Sequence, residues 1–155
     1  VTALAFDGRY FAIDSQVTQG DTRYSARKAF DITNVNGDRI VAFGTGTVAD
    51  IQAACDALRE DERLPKGDYT LLVWGFEEGV IEYNGDSKGA VVSYEHYAAG
   101  SGAQACLGAM KMGASAAVAV AVACEVDTNS GLPVVVFDTK TGKFKSMSRR
   151  RKKSL

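Results

Sequence analysis

The stretch Val1-Thr2-Ala3-Leu4-Ala5-Phe6-Asp7-Gly8-Arg9-Tyr10-Phe11-Ala12-Ile13-Asp14-Ser15-Gln16-Val17-Thr18 organises the reading of the whole chain. Thr2 to Phe6 and Tyr10 to Ile13 carry residues that suit a pleated, largely buried strand pair, and Asp7-Gly8 between them supplies the positive φ of a tight hairpin turn. The spacing predicts a hairpin that ties the first residues into a sheet. Thr2 is then held at a fixed place near the end of the second strand, where Asp14 stands.

The chain has 155 residues, 46% hydrophobic and 24% charged, which fits one domain with a substantial core. No apolar run approaches the roughly 20 residues that span a bilayer, so no membrane contact is expected. The first residues lack the basic start and small-residue cleavage site of a signal peptide, and the expectation is an intracellular protein. Cys55, Cys106 and Cys124 form no CxxC pair and sit in Ala-rich segments, so they read as buried reduced thiols. With one histidine, His96, and no cluster of ligands, neither a metal site nor a cofactor is expected, and His96 itself reads as a satisfied or surface histidine. Arg149, Arg150, Arg151, Lys152 and Lys153 form a basic run at the end of an otherwise acidic body. Such a run reads first as a solvated tail over 147–155, with 1–146 as the folded domain. Its alternative reading is a salt-sensitive tether to nucleic acid or an acidic surface.

From Ser15 to Ser25 the composition reads as a polar loop. Lys28 to Ile32 and Arg39 to Phe43 then predict a second hairpin around a turn at Asn34 to Asp38. Gly44 to Asp50 leads into a helix in which Ile51, Ala54, Cys55 and Leu58 recur at helical spacing. Three strand-like runs come next, Tyr69 to Phe76, Val80 to Tyr83 and Ala90 to Tyr94, and they read as a meander. Trp74, Phe76 and Tyr83 are core or interface aromatics. Tyr97-Ala98-Ala99-Gly100-Ser101-Gly102 reads as the entry to a helix from Ala103 to Met112, and Ser115 caps a further helix, through the uncharged Ala/Val run, to about Val126. That run reads as fully buried. Asp127 to Gly131 is a loop, Pro133 to Asp138 a final strand, and Lys140 to Lys143 a turn before the tail. The order predicts an α+β fold of two antiparallel sheet layers with helices packed outside them.

Five segments, in this order, resemble the signatures of proteasome β-subunits and bacterial HslV peptidases, which are N-terminal nucleophile hydrolases. They are Asp14-Ser15-Gln16-Val17-Thr18, Arg27-Lys28, Gly46-Thr47-Val48-Ala49-Asp50, Gly100-Ser101-Gly102, and Asp127-Thr128-Asn129-Ser130-Gly131 leading into Leu132-Pro133-Val134. The resemblance covers most of residues 2 to 137, and the short length is most similar to compact phage and bacterial members. It implies a four-layer αββα sandwich and a threonine-type peptidase acting on peptides or unfolded proteins. It also implies roles for residues. Lys28 resembles the lysine that lowers the pKa of the threonine hydroxyl, and Asp14 the carboxylate that orients that lysine. Gly46 would lend its N–H to the oxyanion hole, Thr18 would bind the substrate main chain, and Ser101, Asp127 and Ser130 would hold the terminal amine. The nucleophile would be a threonine whose own α-amine, with a reference pKa near 8, is the general base.

The departure from the pattern is Val1, which precedes Thr2. Thr2 is an even number of positions from Asp14, as the family threonine is from its aspartate, and is the better candidate nucleophile. With Val1 attached, however, its nitrogen is an amide and no base. Two readings stay open: a peptidase once that amine is exposed, and a catalytically silent structural or assembly protein on the same fold. A third is a nucleic-acid-associated protein acting through Arg149 to Lys153. Only one helix fits between Asp50 and Tyr69, where ring-forming relatives carry two, so the helix layer is reduced on one side. The implied partners are further copies of the chain, with an ATPase or a virion component left open, and the implied setting is the cytoplasm or a virion. Taken singly, Lys28 with Asp14 also reads as a structural ion pair, Gly100 to Gly102 as a helix entry, and Asp127 to Gly131 as a plain loop.

Overall fold

In the computed structural model, which describes residues 2–75, 79–85, 88–92 and 95–147, the opening stretch forms β1 (Leu4–Phe6) and β2 (Tyr10–Ile13). The turn closes by Asp7 N–H donating to the Tyr10 carbonyl at 3.2 Å, so its two central residues are Gly8 and Arg9, one position later than the Asp7-Gly8 reading. Gly8 takes φ +98°, and the Asp7 carboxylate accepts the N–H groups of Arg9 and Tyr10. Asp7 is therefore the clamp of the turn rather than one of its central residues. Val1, Phe76, the turn residues Glu77, Glu78 and Asp86, the end of the third meander strand at Tyr94, and the basic run lie outside the described residues.

Two compact units divide the chain: Val1–Arg27 with Tyr94–Leu155, and Lys28–Ser93. The first is built on a five-stranded antiparallel sheet. Its centre is the β1–β2 hairpin, flanked on one side by β10 (Tyr97–Ala99) and on the other by β11 (Val134–Asp138) and β12 (Lys143–Met147). Ala3 and Ala5, Ala12, and Val134 and Val136 point to one face, where small side chains let α2 (Ala103–Lys111) and α3 (Ala116–Val126) pack through Cys106, Met110, Ala119, Val120 and Ala123. The alternate residues, Leu4, Phe11, Ile13 and Phe137, are fully buried on the opposite face. Phe6 stacks on Phe11 there at 4.3 Å.

The second unit is a meander of β5 (Ala29–Thr33), β6 (Arg39–Gly46), β7 (Tyr69–Gly75), β8 (Gly79–Tyr83) and β9 (Gly89–Val91), antiparallel and in chain order. Its helix, α1 (Val48–Arg59), buries Ile51, Ala54, Cys55 and Leu58, the four residues picked out by their spacing, beside Ile32, Ala42, Leu71 and Val73. The approach is close. A Cβ on Gly44 would stand 2.7 Å from Ile51 Cγ2, so a side chain at this strand position would push the helix away.

Four expectations are corrected. Ser15 to Ser25 is not a loop but a two-stranded hairpin, β3 (Gln16–Gln19) and β4 (Thr22–Ser25), paired from Gln16↔Ser25 to Gln19↔Thr22. All of β4 is exposed, so it carries no apolar alternation to announce it. Tyr97 to Ala99 belongs to a strand on β1 rather than to the helix entry, and Lys143 opens β12 instead of ending in a turn. The uncharged Ala/Val run of α3, residues 116–123, is not fully buried: Val118 is 48% exposed. Of the cysteines, Cys55 and Cys106 are buried as expected and Cys124 is half-buried. No helix among the described residues is long and apolar enough to cross a membrane.

Candidate active site

Thr2 lies just ahead of β1 and is 2% exposed. Its N–H donates to Ser101 Oγ at 3.2 Å, and its carbonyl accepts the N–H of Gly102 at 3.0 Å. The Gly-Ser-Gly segment can come this close because its flanks lack side chains. Gly100 holds φ +88°, and a Cβ on it would run into the Thr2 carbonyl group, while one on Gly102 would stand 2.8 Å from Ala3 Cβ.

From Ser101 the contacts continue in one direction. Ser101 Oγ donates to Asp127 Oδ2 at 2.6 Å, Ser130 Oγ donates to the same oxygen at 2.7 Å, and Asn129 N–H donates to Oδ1 at 3.2 Å. Burial presses the Asp127 carboxyl upward, but the hydrogen bonds from Ser101, Ser130 and Asn129 outweigh it and hold the group below its ordinary value. An ionised Asp127 only accepts. Ser101 must therefore spend its proton on Asp127 and present a lone pair to the nitrogen of Thr2.

Asp14, placed at the end of β2, is fully buried. Its Oδ1 accepts Ala3 N–H at 3.1 Å, and its Oδ2 accepts Gln16 N–H at 3.2 Å and Gly131 N–H at 3.0 Å. The carboxylate thus joins the start of β1, the start of β3 and the loop after α3. Thr18 stands half-buried on β3, opposite Arg23, and its Oγ1 accepts from Gln16 Nε2 at 3.1 Å.

One unit therefore gathers Thr2, Asp14, Thr18, Ser101, Asp127 and Ser130, whereas Lys28 and Gly46 belong to the other. Lys28 precedes β5, is 7% exposed, and its carbonyl accepts Gly44 N–H at 3.0 Å. Gly46 ends β6 at φ +121°, and a Cβ there would collide with the Asp68 carbonyl and stand 2.7 Å from Tyr69 Cα, so only glycine fits. Thr47, the next residue, occupies the N-cap position of α1. The residues that sequence reasoning missed are Gln16, Asn129 and Gly131. All three lie inside the signature segments, and only their hydrogen bonds reveal them.

His96 departs from expectation: it is half-buried, and its Nδ1 is buried with no hydrogen-bond partner among the described residues. Among the described residues no group of three or more His, Cys, Asp or Glu side chains is gathered to hold a metal ion.

No family model matches the chain, and no curated protein matches it in sequence. Solved structures do resemble it. An Anbu Gly-1 mutant from Hyphomicrobium sp. strain MC1 superposes with a TM-score of 0.73 at 12% identity, over 96% of this chain and 88% of that one. The BPH of Thiobacillus denitrificans, solved in complex with epoxomicin, gives 0.64 at 20% identity over 95% and 98%. The HslV of Trypanosoma brucei gives 0.61 at 21% identity over 88% and 98%. At these identities the likeness establishes the fold: the mixed α+β arrangement of antiparallel sheets and helices found in HslV and proteasome-like N-terminal nucleophile hydrolases.

Proposed function

We propose that this chain is a threonine-type peptidase of the proteasome/HslV kind, with Thr2 as its nucleophile. The observation that carries the reading is the directed chain from Thr2 nitrogen to Ser101 Oγ to Asp127, braced by Ser130. A nitrogen held by a fixed acceptor, with a carboxylate behind that acceptor, is what an α-amine needs to keep its lone pair turned toward a neighbouring hydroxyl. The HslV-like fold supports the same reading.

In this mechanism the amine of Thr2 takes the proton of its own hydroxyl, and the resulting alkoxide attacks the peptide carbonyl. Lys28 lowers the pKa of that hydroxyl, and Asp14 orients Lys28. Gly46 N–H stabilises the oxyanion, whose charge develops only in the transition state, and Thr18 binds the substrate main chain. Ser101, Asp127 and Ser130 hold the amine. The substrate is a peptide or an unfolded protein, and the working form is a homo-oligomer. Met112, Val118 and Val126, exposed by 90%, 48% and 67%, give the α2–α3 hairpin apolar surface for such assembly.

The second reading, a catalytically silent structural or assembly protein, is favoured by Val1 alone. A peptide bond from Val1 makes the Thr2 nitrogen an amide that cannot act as a base. Intact mass and amino-terminal sequencing of the mature protein separate the two. A chain starting at Thr2 should hydrolyse fluorogenic peptides and be labelled by epoxomicin, the compound that the Thiobacillus BPH binds. Thr2→Ala and Lys28→Ala should each reduce turnover to background with the fold intact. Unchanged turnover in either variant overturns the peptidase mechanism.

A further inference from the structure

We infer that Gln16 is a positioning residue of this site: its carboxamide sets the direction of the Thr18 hydroxyl, so that Thr18 donates to a carbonyl of an extended peptide. The inference rests on the peptidase reading and names a residue that reading does not use. Gln16 is 6% exposed, and its Nε2 donates to two acceptors, Thr18 Oγ1 at 3.1 Å and the Thr128 carbonyl at 3.0 Å. A primary amide has two N–H bonds, and both are committed.

The polarity of this arrangement is fixed by chemistry. A backbone carbonyl can only accept, so the nitrogen end of the amide must face Thr128, and the same nitrogen then donates to Thr18. Thr18 Oγ1 is an acceptor toward Gln16, which leaves its own proton to point elsewhere. A Cβ on Gly131 would collide with Gln16 Oε1, so the oxygen end of the amide lies beside that loop. The backbone around it is laced on both sides: Gln16 N–H to Asp14 Oδ2, Ser15 N–H to the Gly131 carbonyl at 3.0 Å, and Ser15 Oγ to the Pro133 carbonyl at 2.7 Å.

Two parts of the site are coupled by this one side chain. Thr18 lies on β3, and Thr128 sits in the loop that carries Asp127 and Ser130. A donor hydroxyl on a strand suits an acceptor presented by another extended chain, and in a peptide that acceptor is the backbone C=O. The ligand class is therefore an extended peptide recognised through its main chain.

The test is steady-state kinetics with a fluorogenic peptide on the mature chain and on Gln16→Ala, Thr18→Val, Thr18→Ser and the Gln16→Ala/Thr18→Val double variant. Loss of a binding hydrogen bond used equally in ground and transition states should raise KM about five- to tenfold in Gln16→Ala and in Thr18→Val, with kcat within about twofold. The double variant should be no worse than either single one, and Thr18→Ser should match the wild type. An unchanged KM, additive losses, or a fall in kcat that follows the melting temperature overturns the inference. If Gln16→Ala does not fold, Thr18→Val against Thr18→Ser decides, and equal KM values overturn it. If the mature wild type hydrolyses nothing, the peptidase reading fails by itself. Fluorescence anisotropy of a labelled peptide on Thr2→Ala, with and without Gln16→Ala, then decides between weakened binding, which supports the inference, and no difference, which overturns it.

Discussion

Asp14 is fully buried, and its carboxylate accepts backbone N–H groups from Ala3, Gln16 and Gly131. Hydrogen bonds to a charged acceptor are stronger than neutral ones, and a donor left unmatched at a buried position bears its full desolvation cost. Asp14→Asn keeps one acceptor oxygen and turns an amide N–H₂ toward backbone donors. We expect it to destabilise the protein by about 2–3 kcal/mol in urea denaturation at neutral pH. A loss below about 0.5 kcal/mol would mean that the three N–H groups find other acceptors. Asp14 stood out in the sequence because it comes directly after a readable hairpin and opens a signature. Gln16 did not, since a glutamine between a serine and a valine carries no pattern of its own. Its role depends on the Thr128 carbonyl, 112 positions away in the chain.

Among the elements, the β1–β2 hairpin and α3 share a single side chain. Asp7 Oδ1 closes the turn through Arg9 and Tyr10, and its Oδ2 accepts Ala116 N–H at 2.9 Å, at the first turn of α3. Ser115 Oγ caps the same helix end through Val118 N–H at 3.3 Å. A carboxylate here also meets the positive end of the helix dipole. Asp7→Ala should therefore cost about 1–2 kcal/mol in chemical denaturation, the cost of losing a helix cap and a turn clamp together. A cost near zero would show that Ser115 alone suffices. The helices α1, α2 and α3 were legible because apolar spacing, glycine entries and the Ser115 cap are local signals. The strands β3, β4, β10 and β12 were not. They are short, and β4 and most of β12 are exposed, so what defines them is a partner strand rather than their own pattern.

At the scale of the whole molecule, each unit closes its core over a thiol. Burial pushes Cys55 up to about 11 in the second unit and Cys106 up to about 12 in the first, from an ordinary value of 9.0. Because the folded values lie above the unfolded one, their stabilisation is complete below pH 9.0 and is lost as pH rises through the folded values: the unfolded chain releases protons that the native one keeps. The urea midpoint should fall as pH rises from about 9 to about 12, and less steeply in Cys106→Ala. Iodoacetamide at about pH 8 should leave Cys55 and Cys106 unmodified in the native protein and reach all three thiols in urea; rapid native modification of Cys106 would contradict its burial. By itself the sequence determined the opening hairpin, the three helices and the fold class, because turn chemistry and hydrophobic period act over a few residues. Its ordered signatures also singled out Asp14, Thr18, Lys28, Gly46, Ser101, Asp127 and Ser130, and the even spacing from Asp14 singled out Thr2. Only the tertiary structure decided that β10 and β11 flank that hairpin, and that Ser101 links the nitrogen of Thr2 to Asp127 while Gln16 bridges Thr18 and Thr128. Those contacts join residues as far apart in the chain as Tyr10 and Asp138, and local propensity carries no record of which distant segment will supply the other half of a hydrogen bond.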